Sequence, residues 1–212
     1  MRFFCTRRGS QCAFTLVELI VVLSIILILA ALIIPTLGPM MQSYNLNRGE
    51  TMMNDEFTTA RQAALTRNSD VEVRFDKIGT ASAPADLQFR AFHAILSSTS
   101  APLDKISYLP GSIVISPNVL NSTLLDYTNS NRSGLLTGQE MLPGSSTPVT
   151  YISFLFRATG GTGLTPVTPP VGIWDVTLLQ ENASVVPATG LPNNYVTVQI
   201  DPVEGQVRVY RP

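Results

Sequence analysis

The chain opens with one long apolar stretch and then becomes an ordinary mixture of apolar and polar residues. Between positions 14 and 34 the apolar run is interrupted only by Thr15, Glu18 and Ser24. A helix rises about 1.5 Å per residue, so this stretch would span roughly 31 Å, close to the thickness of a bilayer core. The pattern predicts a transmembrane helix over residues 14–34.

Helical spacing of apolar positions continues beyond this stretch. A stripe with intervals of 7, 4, 3 and 4 residues passes through Leu46, Met53, Phe57, Ala60 and Ala64. Such intervals keep side chains on one face of a helix. The stripe predicts an amphipathic continuation of the helix over residues 35–67, with this face packed in a core.

Helix-breaking residues fall together where the predicted span ends. Pro35 and Pro39 each lack a backbone donor, and Gly38 adds backbone freedom between them. We expect these three residues to kink the helix or to melt it locally.

The rest of the chain has a twofold period. In "VEVRF", Val71, Val73 and Phe75 alternate with Glu72 and Arg74. Similar patterns predict strands in "LQFRAFHAIL", "KISYLP", "SIVIS", "YISFLFR", "WDVTLL", "YVTVQI" and "QVRVY". The turn sequence "DPVEG" joins the last two as a hairpin. A helix followed by a mainly antiparallel sheet is an α+β fold, with a β-rich globular head over residues 68–212.

Two segments of the head have the composition of loops. Residues 117–148 are rich in Asn, Ser, Thr and Gly, and residues 158–172 are rich in Gly, Thr and Pro. Both are predicted as exposed loops, long enough to be functional or mobile.

The charges of the first 13 residues predict an orientation. This basic leader contains Arg2, Arg7 and Arg8 and no acidic residue. Basic residues that precede a membrane helix stay in the cytoplasm, so the C-terminal head is expected on the opposite side. Both cysteines, Cys5 and Cys12, also lie here, and removal of the leader would leave no thiol and no disulfide.

Three interpretations of the N-terminal segment compete. An ordinary secretory signal has an apolar stretch of about 7–15 residues and a small-residue cleavage site, and "ILAALIIP" is a poor site of that kind. An uncleaved signal anchor leaves Glu18 without a role, although a carboxylate inside a membrane is costly. A third interpretation uses all of the features.

The stretch "AFTLVEL", residues 13–19, resembles the class III signal of type IV prepilins and pseudopilins. In that family a peptidase cuts after a small residue, the phenylalanine that follows is N-methylated, and the fifth mature residue is glutamate. The resemblance implies cleavage between Ala13 and Phe14 and methylation of Phe14. The family usually has glycine at the position of Ala13. Pro35 stands where pilins commonly carry a helix-kinking proline.

The same resemblance gives Glu18 a role. A buried carboxylate costs several kcal/mol or is forced to protonate, unless a positive group compensates it. The resemblance implies that the amino terminus of a neighbouring subunit supplies that charge. Glu18 is therefore predicted to be an assembly residue.

The head carries a second resemblance. The stretches "ARQAALTRNSDVEVRF", "YLPGSIVIS", "ISFLFRATGGT" and "YVTVQIDPVEGQVRVYRP" follow the order seen in pilin-like proteins related to the H-type minor pseudopilin of type II secretion. They are most similar to the family labelled Verru_Chthon cassette protein D. The resemblance implies a pilin-like head and is weakest over residues 117–148.

Candidate chemistry in the head is sparse. The single histidine, His93, alternates with Ala91 and Ile95 and is predicted to be a buried or edge residue, since the sequence supplies no convergent partners for a metal or catalytic site. Trp174 is predicted to anchor the core. The stretch "RATGGTG" lacks both the sequence and the context of a phosphate-binding loop.

Some pseudopilins hold calcium in a C-terminal loop, which makes four acidic residues worth testing: Asp175, Glu181, Asp201 and Glu204. Their spacing is not that of a known oxygen cage, so solvated turn acids are expected. No metal or other cofactor and no enzymatic activity is expected.

We therefore expect a prepilin-like protein of a bacterial inner membrane, with its N-terminus cytoplasmic and its head periplasmic or in an extracytoplasmic fibre. Its expected partners are the prepilin peptidase, the membrane and other pilin-like or pseudopilin subunits. A type II secretion or type IV pilus-like fibre would contain it as a minor subunit. The alternative is a ligand-binding module, for example for DNA. Nucleic acid is not expected, because removal of the leader takes away three of the 14 basic side chains and leaves 11 against 15 acidic ones, and Arg208 and Arg211 are the only hint of a basic patch.

Overall fold

The structure is a computed structural model, and its described residues are 15–80, 83–130, 132–166, 173–181, 183–184 and 190–212. Within the N-terminal helix, the side chains of residues 32–37 and 39 lie outside the description. The chain divides into two compact units, Met1–Met41 and Gln42–Pro212. We call the second of these the globular unit.

One long helix, α1, covers Leu16–Arg67 and contributes residues to both units. It ends at Asn68, whose φ of 48° lies in the left-handed region that asparagine tolerates. The N–H of Ser69 then donates to the carbonyl of Ala64 at 3.2 Å, which satisfies one of the carbonyls left free in the last turn. The helical prediction for the segment up to residue 67 is confirmed.

Among the residues that the structure describes, no helix offers a stretch both long enough and apolar enough to cross a membrane. The span predicted over residues 14–34 includes side chains outside the description, and it stays a prediction.

The described strands form a single antiparallel sheet in the order β5-β6-β1-β2-β4-β7-β8-β9, with β3 paired to β2. The strands are β1 Val71–Ile78, β2 Gln88–Leu96, β3 Ser107–Tyr108, β4 Ile113–Ile115, β5 Leu136–Glu140, β6 Val149–Phe156, β7 Trp174–Gln180, β8 Tyr195–Ile200 and β9 Val207–Tyr210. A long N-terminal helix followed by an antiparallel sheet confirms the α+β class.

The core of the globular unit forms between α1 and one face of this sheet. All five members of the predicted helical stripe are at most 2% exposed. Among them, Phe57 contacts the rings of Phe75, Phe154 and Phe156 at centroid distances of 6.0, 5.7 and 6.5 Å. Trp174 is buried as predicted, and its indole N–H donates to the carbonyl of Thr165 at 2.9 Å. Aromatic packing of this kind is a main source of core stability.

The two segments predicted as exposed loops contain ordered, buried structure, and that prediction is partly wrong. Residues 117–148 include a 3₁₀ turn, Thr123–Leu125, which is buried, and strand β5, which pairs with β6. In the second segment Gly160 and Leu164 are buried, while residues 167–172 lie outside the description. Polar composition hid these elements because only a few apolar residues enter the core from each.

The predicted C-terminal hairpin is confirmed. Strands β8 and β9 pair with Ile200 opposite Val207. In the turn, Asp201 Oδ1 accepts hydrogen bonds from the N–H groups of Val203 and Glu204 at 2.8 and 2.9 Å. A short acidic side chain of this kind replaces the backbone acceptors that a turn leaves missing.

Candidate functional site

The described part of the N-terminal motif forms the first turn of α1. The N–H of Glu18 donates to Thr15 Oγ1 at 3.2 Å, and the N–H and hydroxyl of Thr15 lie 3.5 Å from Glu18 Oε2. This reciprocal capping box partners backbone N–H groups that a helix start leaves free. Glu18 thus has a partner, Thr15, in its own chain. The T-x-x-E spacing in "TLVE" is typical of a capping box, but this contact was not predicted from the sequence. The other predicted motif residues, Ala13 and Phe14, lie outside the described residues.

The described part of the first unit, from Leu16 to Leu29, presents apolar side chains on every side of the helix. Each large apolar side chain from Leu16 to Leu29 is 49–74% exposed. A helix that is apolar all round is normally buried in a membrane or a protein core, and a soluble surface rarely carries so large an apolar patch. This surface therefore requires cover by lipid or by other protein chains.

The predicted kink residues lie within α1. The backbone is helical at Pro35, Gly38 and Pro39. A Cβ atom on Gly38 would have no neighbour within 4 Å, and the side chains of the two prolines lie outside the description. The kink stays a prediction.

A second candidate site lies on the sheet face opposite α1. Because β1 buries Val73 and Phe75 in the core, the alternation of the strand turns its polar residues to the opposite face. Sheet register places Arg74 between His93 of β2 and Ser153 of β6. We call five charged or titratable residues on this face the polar cluster: Glu72, Arg74, Asp76, His93 and Glu140.

Arg74 holds one half of the polar cluster together. Its Nε and Nη2 donate to the two carboxylate oxygens of Glu72 at 3.0 and 3.1 Å, and its Nη1 donates to Glu140 Oε2 at 2.7 Å. The hydroxyl of Ser153 donates to Glu72 Oε1 at 2.7 Å. The guanidinium carbon also lies 4.2 Å from the ring centroid of Tyr151. Glu72 is therefore fully partnered, whereas Glu140 uses only one oxygen here.

His93 lies between the two other carboxylates. Its Nδ1 is 3.0 Å from Asp76 Oδ2, and its Nε2 is 3.5 Å from Glu140 Oε1. Burial opposes protonation of the ring, but hydrogen bonds and charges from Asp76 and Glu140 raise the pKa of His93 to about 9. Burial raises the pKa of Asp76 to about 6. The pKa of Glu140 falls to about 2, because hydrogen bonds with its neighbours outweigh its burial.

The sequence supplied no partners for His93, and the structure supplies two. The prediction of a buried histidine is confirmed, but its carboxylate neighbours come from β1 and β5, far from it along the chain. Asp76, His93 and Glu140 each offer one ligand atom within 4.8 Å of the others, a grouping that could hold a metal ion. The pairing of β5 with β6, which the sequence analysis did not predict, positions Glu140.

A cavity of about 600 Å³ lies against the same histidine. Tyr108 is half exposed at its rim, so the cavity opens to solvent. Its lining is mainly apolar and includes His93, Ile95, Pro102, Ile106, Tyr108 and Pro143. The His93 ring is therefore shared by the polar cluster and a cavity that small molecules can reach.

The four candidate calcium ligands do not converge. Asp175 is buried on β7 and its Oδ1 accepts from the N–H and hydroxyl of Thr123 at 3.0 and 2.6 Å. Glu181 forms an ion pair with Arg90. The expectation of solvated turn acids is therefore wrong for Asp175, which is a buried acceptor that fixes the 3₁₀ turn.

The other two acids belong to the C-terminal hairpin. Asp201 partners the backbone of its turn, and Glu204 is exposed. The carbonyl of Glu204 accepts a hydrogen bond from Arg61 Nε at 3.0 Å, and so does the carbonyl of Gly160 at 3.0 Å. The "RATGGTG" stretch is thus tied to α1 through Gly160.

Replacing Asp175 by alanine is expected to lower the free energy of unfolding by about 1–3 kcal/mol, because the buried N–H of Thr123 loses its acceptor. Asp175→Asn keeps that acceptor. Burial raises the pKa of Asp175, so the ionised carboxyl opposes folding above its folded pKa and costs nothing below its unfolded pKa near 4. The free energy of unfolding of the asparagine variant, relative to that of the wild type, should therefore increase as the pH rises from about 4 to 7.

The measurement is urea unfolding of the detergent-solubilised chain, followed by the fluorescence of Trp174, the single tryptophan. Glu204→Ala, at an exposed position, is the control and should stay within about 0.5 kcal/mol of the wild type. Equal stability of Asp175→Ala and the wild type would contradict the structural role of this carboxyl.

The two C-terminal arginines do not form a free basic patch. Arg211 forms an ion pair with Glu50 on α1, and Arg208 is exposed on β9. A surface for a phosphate backbone needs several unpaired cations close together. This pairing weakens the DNA-binding alternative.

Comparison with known families identifies the N-terminal segment. Residues 8–34 match the family model described as the prokaryotic N-terminal methylation motif. The match includes Ala13, Phe14 and Glu18, and it supports a prepilin-like protein that is processed by a prepilin peptidase and assembles with pilin-like subunits. No curated protein and no solved structure matches the chain.

Proposed function

We propose that this protein is a minor pseudopilin-like subunit that enters a type II secretion or type IV pilus-like fibre through its N-terminal helix. The observation that carries the proposal is the methylation motif over residues 8–34 on a helix whose apolar side chains from Leu16 to Leu29 are exposed. The motif supports processing, and the exposed apolar surface supports a state in which lipid or other subunits cover the helix.

Before assembly, residues 14–34 lie in the bacterial inner membrane. The three arginines of the leader keep the N-terminus in the cytoplasm and send the globular unit to the periplasm. The membrane covers the apolar surface of this helix. The globular unit needs no such cover, because it has its own core around Phe57 and Trp174.

On assembly, neighbouring helices replace lipid around the same surface. Close packing of helices in a membrane depends on van der Waals contact and on polar groups that find partners. Glu18 can supply such a group, because the cleaved and methylated amine of the adjoining subunit carries the opposite charge. The minor role is supported by the resemblance of the head to H-type pseudopilins.

The globular unit is proposed to be a structural and interaction body rather than an enzyme. Several of its buried or partly buried charges are paired within the sheet, as for Arg90 with Glu181 and Arg74 with Glu72. Capture of DNA receives no support from Arg211, which is paired with Glu50.

The test is the mass of the mature chain. Co-expression with a prepilin peptidase should yield a membrane-extracted protein that begins at Phe14 and carries one added methyl group, as measured by intact-mass spectrometry. Ala13→Gly, which restores the residue usual in the family, should be cleaved at least as fast. Ala13→Leu should stay uncleaved, because a large side chain does not fit where the family has a small residue.

A mature chain that begins after Ala31 would instead indicate an ordinary secretory signal. A chain that keeps residues 1–13 in all three proteins would indicate an uncleaved anchor, and the proposed function would then be wrong.

A further inference from the structure

We propose that Asp76, His93 and Glu140 bind one divalent transition-metal ion, with zinc as the ion that this donor set suits. The three residues come from β1, β2 and β5, and one ligand atom from each lies within 4.8 Å of the other two. Imidazole nitrogen together with carboxylate oxygen is a common donor set for zinc. Because the residues lie on strands of one sheet, their backbones are held in place.

Two buried carboxylate oxygens at the site, Asp76 Oδ1 and Glu140 Oε1, have no well-formed hydrogen bond among the described residues. Glu140 Oε1 has only the longer contact of 3.5 Å with His93 Nε2. The Asp76 side chain is completely buried, so water does not compensate it from the surface. A buried polar atom without a partner costs about 1–3 kcal/mol, and more when it is charged. A cation between these oxygens would remove that cost.

When the imidazole of His93 is neutral, as coordination requires, the charges of the polar cluster suit a dication. Glu72, Asp76 and Glu140 contribute three carboxylates, and Arg74 contributes one guanidinium. With a neutral imidazole the cluster has two uncompensated negative charges, which a divalent ion balances. A buried group of charges is stable only when it is paired.

Each ring nitrogen of His93 faces one carboxylate: Nδ1 lies 3.0 Å from Asp76 Oδ2 and Nε2 lies 3.5 Å from Glu140 Oε1. A neutral ring keeps a lone pair on one nitrogen for the metal. Because a carboxylate that accepts from Nδ1 points away from an ion at Nε2, Asp76 must exchange its contact with Nδ1 for the ion in order to be a ligand. Arg74 holds Glu140 Oε2 and leaves Oε1 for the metal.

Coordination requires the ligand atoms to approach one another. Zinc bonds of about 2.0–2.2 Å place neighbouring ligand atoms closer together than 4.8 Å. Glu140 is the residue that can move, because β5 is the edge strand of the sheet and this side chain is partly exposed. The cavity beside His93 gives an ion a route from solvent and leaves room for a water molecule as a further ligand.

A proton on His93 is the competing occupant. An imidazolium would donate from Nδ1 to Asp76 and from Nε2 toward Glu140 and would neutralise one charge. It would not partner Asp76 Oδ1. A site held by a proton on His93 and a site that binds a metal ion give different results when metal is added.

The experiment uses the full chain in detergent, with Cys5→Ser and Cys12→Ser to remove the leader thiols and a purification tag without histidine. After dialysis against EDTA, calorimetric titration with ZnCl₂ at pH 7.5 should show about one ion per chain. MgCl₂ and CaCl₂ should produce no binding heat, because these ions prefer all-oxygen sites.

Matched variants locate the site. Asp76→Asn and Glu140→Gln keep the side-chain shape and are expected to weaken zinc binding by at least about 10–100-fold, while His93→Gln should abolish it. Asp175→Asn removes a buried carboxylate elsewhere in the sheet and should leave zinc affinity unchanged. The fluorescence of Trp174 reports whether each variant is folded.

X-ray absorption of the zinc-loaded wild type keeps the inference testable if His93→Gln does not fold. His93 is the only histidine in the chain, so one imidazole in the first coordination shell places the metal at this residue. The proposal is overturned if the wild type binds no zinc, if it binds magnesium or calcium instead, if His93→Gln binds zinc as tightly, or if the first shell contains no imidazole. Absence of binding would leave the imidazolium as the occupant of the site.

Discussion

Replacing Phe57 by alanine is expected to lower the free energy of unfolding of the globular unit by about 3–5 kcal/mol. The side chain is fully buried and contacts three phenylalanine rings, so its removal costs transfer free energy and leaves a cavity that the sheet cannot close. A domain of ordinary stability has about 5–15 kcal/mol in total, so this one change would remove a large share.

Urea unfolding of the detergent-solubilised chain, followed by Trp174 fluorescence, measures this loss. Tyr44→Ala is the control, because Tyr44 is an aromatic residue of the same helix with an exposed side chain. It should change stability by about 0.5 kcal/mol or less. A Phe57→Ala protein as stable as the Tyr44→Ala protein would show that α1 does not complete the core.

Neutralising Glu18 is expected to abolish entry into the fibre without affecting cleavage or membrane insertion. An insertion step favours a more apolar helix, so Glu18→Gln and Glu18→Val should insert at least as well as the wild type. In the fibre, the unpaired amine of the adjoining subunit would cost about 3–5 kcal/mol, which weakens association by two orders of magnitude or more.

The capping contact of Glu18 with Thr15 is separated from the assembly role by the choice of variants. Glutamine can still cap the first turn, whereas valine cannot, so equal failure of both variants points to the charge. Thr15→Ala removes the cap and keeps the carboxylate, and it should still assemble. Ser24→Ala is a control in the same segment, because the hydroxyl that it removes donates to the backbone carbonyl of Val21 and not to Glu18.

Fractionation of the native host measures leader cleavage, membrane retention and co-purification with other pilin-like subunits. Full incorporation of both Glu18 variants would show that this carboxylate has no part in assembly. Failure of the variants to insert would show that it acts at an earlier step, and failure of Thr15→Ala alone would assign the function to the cap.

The helix and most of the sheet could be predicted because their signals are local. The stripe through Met53, Phe57 and Ala60 repeats at the helical period, and the alternation in β1 repeats at two residues, so each face follows from neighbouring positions. The sequence signal for the hairpin that β8 begins was equally local, because "DPVEG" contains both the acceptor and the glycine that its turn uses.

Strand β5 could not be predicted, because its stability comes from its partner. The sequence "LTGQE" has few apolar residues and a glycine, which is typical of a loop. A Cβ atom on Gly138 would lie 2.6 Å from the hydroxyl oxygen of Tyr151 on β6, so a larger residue here would displace the Tyr151 ring. Only the pairing with β6 shows why this residue is small.

The polar cluster was hidden for a different reason. His93, Asp76 and Glu140 lie on strands that meet only after register is fixed, and a shift of one residue would turn each of them to the other face. The sequence contains the residue types but does not contain their distances. The N-terminal motif, by contrast, was readable because its function depends on consecutive residues.

The contacts of Arg61 set an order of events in the life of the chain. This residue of α1 is made early, yet its guanidinium bonds to carbonyls at Gly160 and Glu204, which the ribosome adds 99 and 143 residues later. Contacts of such high sequence separation form slowly, because a long loop must close first. The contacts of Arg61 therefore form only after the C-terminal hairpin has been synthesised, and Phe57 of the same helix likewise waits for Phe154 and Phe156 of β6. For that interval the apolar face of α1 that will form the core is incompletely covered, which makes the unfinished chain prone to aggregation.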